Sequence, residues 1–283
     1  MNVTLLGTGT PTPDPYRQCS ANLIRVDGDY LLIDAGRGTT IQLVRIGVNP
    51  REIGFIFITH HHFDHIGCLG DLLFGAWISG RREKIRVFGP NGTAEIVDVL
   101  LNKVYLRDIK FRLKEAEHLQ DKIDDIRDIV LARDVGPGIV YESAHWKVIA
   151  DYVEHGHGLG MSQEAWPCFG YRVESKGKVV TVSGDAVECE RLRGLARDSD
   201  VLVQCCYLAE EEIINQDLRV LSKYVLASAV QAGRIASDAA VKRLVLTHLK
   251  PKSKEMLRAV ESDVRRHYHG EVIVGEDLMS FEI

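Results

Sequence analysis

Residues 55–65 read Phe-Ile-Phe-Ile-Thr-His-His-His-Phe-Asp-His, an apolar run that passes directly into four histidines and an aspartate. A short unbroken run of aromatic and β-branched residues predicts a strand buried on both faces, which requires layers of structure on either side of its sheet. On extended backbone, residues two apart project to the same side. His60 and His62 therefore aim two imidazoles at one point, while His61 aims away. Asp64 and His65 follow where the chain turns toward a helix near Ile66-Gly67, and can address a second point nearby. Imidazoles and carboxylates are the ligand set preferred by zinc and by its neighbours manganese and iron. Without a cation, imidazoles crowded at a strand end would be costly to desolvate and would repel when protonated. The pattern predicts a metal site.

The rest of the chain alternates strand and helix signals. Val3–Gly7 ends at Gly7-Thr-Gly-Thr-Pro; Ala21–Val26 and Tyr30–Asp34 flank a hairpin turn at Asp27-Gly28. Helical periodicity covers 38–48 and 92–105, with a strand at Ile85–Gly89 between them. The charge-dense run Lys114–Asp128 reads as an exposed helix, and 106–137 is otherwise weakly patterned. Strands are expected at Ile139–Tyr141 and Lys147–Val153, then at 169–174, Val179–Ser183, 201–206, 243–247 and 271–274, with helices near 188–197, 226–238 and 253–267. No linker rich in Pro, Gly or Ser separates the halves. Strands preceding helices twice over predict an α/β chain of two sheets packed face to face with helices outside, one domain over 1–283.

A net charge of −5 argues against a general nucleic-acid or anionic-membrane binder. No apolar stretch approaches the roughly 20 residues that span a bilayer. Met1-Asn-Val-Thr-Leu-Leu lacks the basic and apolar regions of a signal peptide, and the six cysteines form no CxxC pair. Reduced core thiols and a cytoplasmic location are expected.

The string His60-x-His62-x-Asp64-His65 resembles the first metal motif of the metallo-β-lactamase superfamily, and the resemblance continues in order along nearly the whole chain. Asp34, closing Tyr30-Leu-Leu-Ile-Asp34-Ala-Gly36, matches the early aspartate that supports the site. Ser183-Gly184-Asp185 matches the strand-end aspartate that bridges two metals, and His248, closing Arg243-Leu-Val-Leu-Thr-His248, matches the last metal histidine. Leu5-Leu-Gly-Thr-Gly-Thr-Pro and Gly170-Tyr171-Arg172 look most like the ribonuclease Z and arylsulfatase-like branch. The resemblance implies a four-layer αβ/βα sandwich holding two divalent metal ions, zinc before manganese or iron. One metal would take His60, His62 and a further histidine, the other Asp64, His65 and His248, with Asp185 spanning both. A water shared by two metals is acidic enough to act as hydroxide, and Asp64 is the group expected to orient or deprotonate it. His155, ending Lys147–His155, fits the further histidine by strand position; His157, two residues on, points the same way on extended backbone and is otherwise a pocket residue.

Departures from the branch shape the expected substrate. The long Gly/Pro-rich arm that grips tRNA is represented only by Gly136-Pro137-Gly138. A Glu-Ala-Thr segment and a later histidine, which serve the leaving group, are replaced by Gln204-Cys205-Cys206-Tyr207 and by Ser222–Ser228 without a histidine. With the acidic net charge, these features favour hydrolysis of an ester-like bond (carboxylic, sulfate, phosphate or lactone) in a small molecule, with nucleic acid a weaker partner. The alternatives are a ribonuclease Z-like phosphodiesterase acting on RNA and a non-catalytic metal-binding sensor, whose mark would be a missing ligand; none is missing. Residues 156–168, with three glycines and Trp166, are expected to form a lid or pocket wall. The branch is often homodimeric, and Leu69, Leu72, Leu73, Phe74, Trp77 and Ile78 are expected to offer an apolar interface. His118, His145, His267 and His269 show no ligand spacing, and Gly7-Thr-Gly9 lacks the third glycine of a nucleotide loop.

Overall fold

The computed structural model describes residues 1–283. The strands are β1 (Asn2–Gly7), β2 (Ala21–Val26), β3 (Asp29–Ile33), β4 (Ile53–Phe57), β5 (Ile85–Gly89), β6 (Val130–Asp134), β7 (Gly138–Glu142), β8 (Lys147–Tyr152), β9 (Phe169–Ser175), β10 (Lys178–Val182), β11 (Val201–Cys205), β12 (Arg243–Thr247), β13 (Glu271–Val274) and β14 (Ser280–Glu282). They form two seven-stranded sheets, ordered β14-β1-β2-β3-β4-β5-β6 and β13-β12-β11-β10-β9-β8-β7. Each sheet begins as an antiparallel meander and continues as parallel strands: β3 to β6 in the first, β10 to β13 in the second.

Alternation along the strands builds the layers. Leu31, Ile33, Phe55, Phe57, Val201, Val203 and Val245 face the space between the sheets, where they pack with Phe169 and Tyr171. Their neighbours Leu32 and Ile56 face outward onto the helix Leu69–Ile78. On the other sheet, Leu202, Leu244 and Leu246 face outward onto helices at Ala229–Asp238 and Lys254–Arg265. Helix, sheet, sheet, helix is the four-layer αβ/βα sandwich that the sequence predicts. No helix is long and apolar enough to cross a membrane.

The structure departs from the sequence reading where pattern is weak. The run expected as one helix over 92–105 is a helix at Thr93–Val99 continued by a π-helical turn to Val104. The charge-dense region holds a helix at Leu106–Leu119, earlier than its charges indicated, then the strand β6. The helix Gln216–Tyr224 and the strand β14 were not anticipated. The proposed apolar interface is also corrected: Leu69, Leu72, Leu73, Phe74 and Trp77 are buried in the protein's own outer core, and only Ile78 is exposed. Helical spacing turned that stripe onto the sheet, where burial removes the most apolar surface from water.

Candidate metal centre

The expected site residues meet at one edge of the sandwich, beyond the carboxyl ends of β3, β4, β8, β10 and β12. Tight turns steer several of them inward. Asp34, directly after β3, and His248, directly after β12, both adopt left-handed backbone, with φ of 65° and 57°. For residues other than glycine this costs of order 1–3 kcal/mol and persists only where surrounding structure enforces it. Gly184 makes the corresponding turn after β10 with φ 61°, where an added Cβ would lie 2.7 Å from the Phe169 carbonyl oxygen.

Two groups of side chains result. The potential ligand atoms of His60, His62, His155 and Asp185 lie within 4.8 Å of one another, as do those of Asp64, His65 and His248. All are buried except the partly exposed His62. Neighbouring groups fix which nitrogen each imidazole presents. His65 Nδ1 donates to Asp34 Oδ2 at 2.7 Å, which turns Nε2 toward Asp185 Oδ1 at 3.5 Å and Asp64 Oδ2 at 3.7 Å. His60 Nδ1 is 3.0 Å from Thr59 Oγ1, itself anchored on Asp34. His155 Nδ1 donates to the Val225 carbonyl at 2.7 Å. The Nε2 atoms of His60 and His155 then lie 3.0 and 3.2 Å from His62 Nδ1. One proton cannot satisfy three converging lone pairs, whereas one cation can.

The orphaned atoms carry the same message. Asp64 Oδ1 and His65 Nε2 are buried without a hydrogen-bond partner, and a buried polar atom left unpaired costs about 1–3 kcal/mol. Burial, reinforced by its imidazole neighbours, pushes His62 down to about 4 and His60 well below its ordinary range. Both are therefore neutral and able to donate lone pairs. Burial also disfavours charge on Asp185 and Asp64. For Asp185 the imidazoles of His248, His65 and His155 outweigh it, and for Asp64 those of His248 and His65, so both carboxyls sit below the ordinary range. The donor set suits divalent metal ions.

The remaining expected residues take supporting places. His157 lies outside both groups: its Nδ1 accepts from His155 N at 3.0 Å and its Nε2 donates to the Trp166 carbonyl at 2.9 Å. Trp166 rests its ring against His62, centroids 4.7 Å apart. Asp34 accepts from Thr59 N, Thr59 Oγ1 and His65. His61 points away, to Thr93 Oγ1 at 2.8 Å. Sequence reasoning missed Thr59, the shared partner of Asp34 and His60, and used Tyr171 only as part of the Gly170-Tyr171-Arg172 run, without the hydrogen bond its hydroxyl donates to the Ile58 carbonyl at 2.8 Å. It also read Cys205 only as a buried thiol, although its sulfur groups with Asp185 and His248. No local spacing marks these residues, because each depends on another strand.

The family model described as the metallo-beta-lactamase superfamily matches residues 14–165. The chain is 32% identical to ribonuclease Z of Mycobacterium avium (strain 104) over 292 aligned positions, covering 100% of this chain and 98% of that protein. It is 30% identical to ribonuclease Z of Mycolicibacterium gilvum (strain PYR-GCK), covering 100% and 96%. Among solved structures, short-form human tRNase Z superposes with a TM-score of 0.70 at 24% identity, covering 100% of this chain and 99% of that one. A metallo-beta-lactamase fold protein from Bacillus subtilis superposes with a TM-score of 0.73 at 17% identity, covering 99% and 98%. At those identities the solved structures speak for the fold alone.

The relatives correct two expectations. Proteins named ribonuclease Z match end to end, which contradicts both the small-molecule ester substrate and the low weight given to a nucleic-acid partner. Net charge averaged over a surface does not describe the field at a cleft, and a changed leaving-group pair bears on one step of a reaction, not on the class of substrate. A match of this extent and a sandwich of this topology leave one assignment: the chain belongs to the metallo-β-lactamase superfamily, as a metal-dependent hydrolase related over its whole length to ribonuclease Z.

Proposed function

We propose that the protein is a ribonuclease Z-type phosphodiesterase that cleaves RNA with two zinc ions. Full-length similarity to proteins named ribonuclease Z carries the substrate reading, since this fold by itself serves many chemistries. His60, His62 and His155 would hold one ion and Asp64, His65 and His248 the other, with Asp185 between them. A donor set of five imidazoles and two carboxylates favours zinc over the harder cations. When bound, two such ions acidify a shared water and offset charge on the phosphoryl oxygens. Asp64 keeps one oxygen on His248 Nε2, at 3.2 Å, and one without a protein partner, so it is placed to accept the water's proton. Asp34 holds His65 in the orientation and tautomer the site needs.

Two cations leave the same loops as these residues. Arg37 is exposed, three residues after Asp34, and Lys250 follows His248 by two. Lys250 Nζ lies 5.8 Å from the Tyr207 ring centroid, which is 6.2 Å from that of His248. Arg37 suits the phosphates of a polyanion, whereas Lys250 Nζ is already paired with Glu212 Oε1 at 2.9 Å and would have to exchange that partner. We place the enzyme in the cytoplasm, in keeping with six unpaired cysteines. A homodimer would have to use other apolar residues than the buried stripe, such as exposed Val104 and Phe111; sedimentation of the wild type and a Phe111→Glu variant tests this.

The deciding experiment incubates zinc-loaded protein with 3′-extended precursor tRNA and maps the product ends. Cleavage abolished by chelator and restored by zinc, with two zinc ions per chain by elemental analysis, is the expected result. Intact RNA, in a preparation that still hydrolyses bis(4-nitrophenyl) phosphate, would overturn the reading.

A further inference from the structure

The chain has three tryptophans, and two of them are ordinary core residues. Trp77 and Trp146 are each 3% exposed, and their indole N–H groups donate to Asp124 O and Asp29 Oδ2, both at 2.8 Å. Trp166 differs in each respect. It is half-buried, its indole N–H has no hydrogen-bond partner in the protein, and its ring lies against the imidazoles of the metal centre. Centroid distances are 4.7 Å to His62, 5.9 Å to His60 and 6.4 Å to His155.

The segment that carries it is braced. Trp166 N donates to the Ser162 carbonyl at 2.9 Å, and its own carbonyl accepts from His157 Nε2. His157 in turn accepts from the backbone N–H of His155, so the ledge is tied to a residue of the centre itself. Gly158 packs flat on Tyr224, where an added Cβ would lie 2.1 Å from the ring. Leu159 and Met161, on the same segment, leave apolar side chains exposed. A braced, half-buried indole ring with a free N–H, beside a hydrolytic centre and flanked by exposed apolar groups, is a surface for a flat ligand with a polar rim.

We propose that Trp166 is the stacking platform for the base adjoining the scissile phosphodiester. The inference rests on the ribonuclease reading above. A paired base offers both faces to its neighbours in the helix, whereas an unpaired one can lay a face on an indole. Because every base has such a face, recognition at this nucleotide tolerates any sequence. His157 is a positioning residue for the platform.

The test compares wild type, Trp166→Ala and Trp166→Phe on one RNA with a single-stranded cleavage site and on the same RNA lacking the base at that nucleotide. Wild type should cleave the base-bearing RNA about 10- to 100-fold more efficiently in kcat/KM, the scale of one stacked base. Trp166→Ala should lose that preference, and Trp166→Phe should keep most of it. Binding of a phosphorothioate-linked RNA that resists hydrolysis should quench tryptophan fluorescence in zinc-loaded wild type and not in Trp166→Ala. Unchanged zinc content and near-ultraviolet circular dichroism would show that the variants fold. If Trp166→Ala keeps the full preference for the base, the platform is wrong while the ribonuclease reading stands. If the wild type cleaves no RNA, both fall.

Discussion

His155 turns its Nδ1–H to the Val225 carbonyl and its Nε2 to the metal centre, whereas His157 has both ring nitrogens on backbone partners. The two should therefore respond differently to truncation. His155→Ala is expected to lower the amount of metal retained after dialysis, and His157→Ala to leave it at the wild-type value; equal retention by both variants would remove His155 from the ligand set. Asp34 acts one bond further out, through His65. Loss of such an outer hydrogen bond costs roughly 10- to 100-fold in metal affinity, so Asp34→Ala should weaken zinc binding by that factor in competition with a coloured chelator. At this scale the sequence was partly legible. His60, His62, Asp64 and His65 lie on one short segment whose spacing dictates direction. Thr59 became visible only once β3 and β4 were paired in one sheet, and Tyr171 only once β9 of the other sheet was packed against β4.

Among the elements, β3, β4, β10, β11 and β12 were readable because continuous apolar runs buried on both faces leave no other choice. β6 was not: three of its five residues (Leu131, Arg133 and Asp134) are exposed, so it carries no periodic signal and is held by pairing with β5. Asp200 shows how a single carboxylate joins such elements. It precedes β11, accepts from Val179 N at 2.8 Å, and pairs with Lys242 at 2.9 Å. Burial opposes its charge, yet the Lys242 and Val179 hydrogen bonds hold its pKa below the ordinary value. With the folded value below the unfolded one, its stabilisation is complete above about pH 4 and is lost as pH falls through the folded value. Asp200→Asn keeps an acceptor for Val179 N but loses the pairing with the exposed Lys242, so it should lower stability at pH 7 by roughly 0.5–1 kcal/mol and flatten the acid limb of a urea-melt series. A variant whose acid limb matched wild type would show that other carboxylates control it.

For the molecule as a whole, the two ends of the chain close one sheet. β14 pairs with β1, and Asp277 just before it accepts from Thr8 N, Thr8 Oγ1, Gln18 N and Gln42. Removing that carboxylate leaves several part-buried donors unpaired. Asp277→Ala should thus cost roughly 2–4 kcal/mol, read as a lower urea midpoint with unchanged slope. If instead the slope fell, the N-terminal loop would be unfolding separately from the body of the sandwich.

Local pattern by itself determined the layered α/β architecture and the presence of a metal-binding motif, because apolar period and two-residue spacing act within a few neighbouring residues. Tertiary structure decided that His155, not His157, lies grouped with His60, His62 and Asp185, that the apolar stripe at 69–77 faces inward, and that Trp166 covers His62. Each of these depends on strands far apart in the chain arriving at one edge, and side-chain direction there is set by turns such as those at Asp34 and His248. Substrate class lay beyond local pattern for a related reason. A nucleic acid is recognised by the field and shape of an assembled cleft, to which the chain's net charge is a poor guide.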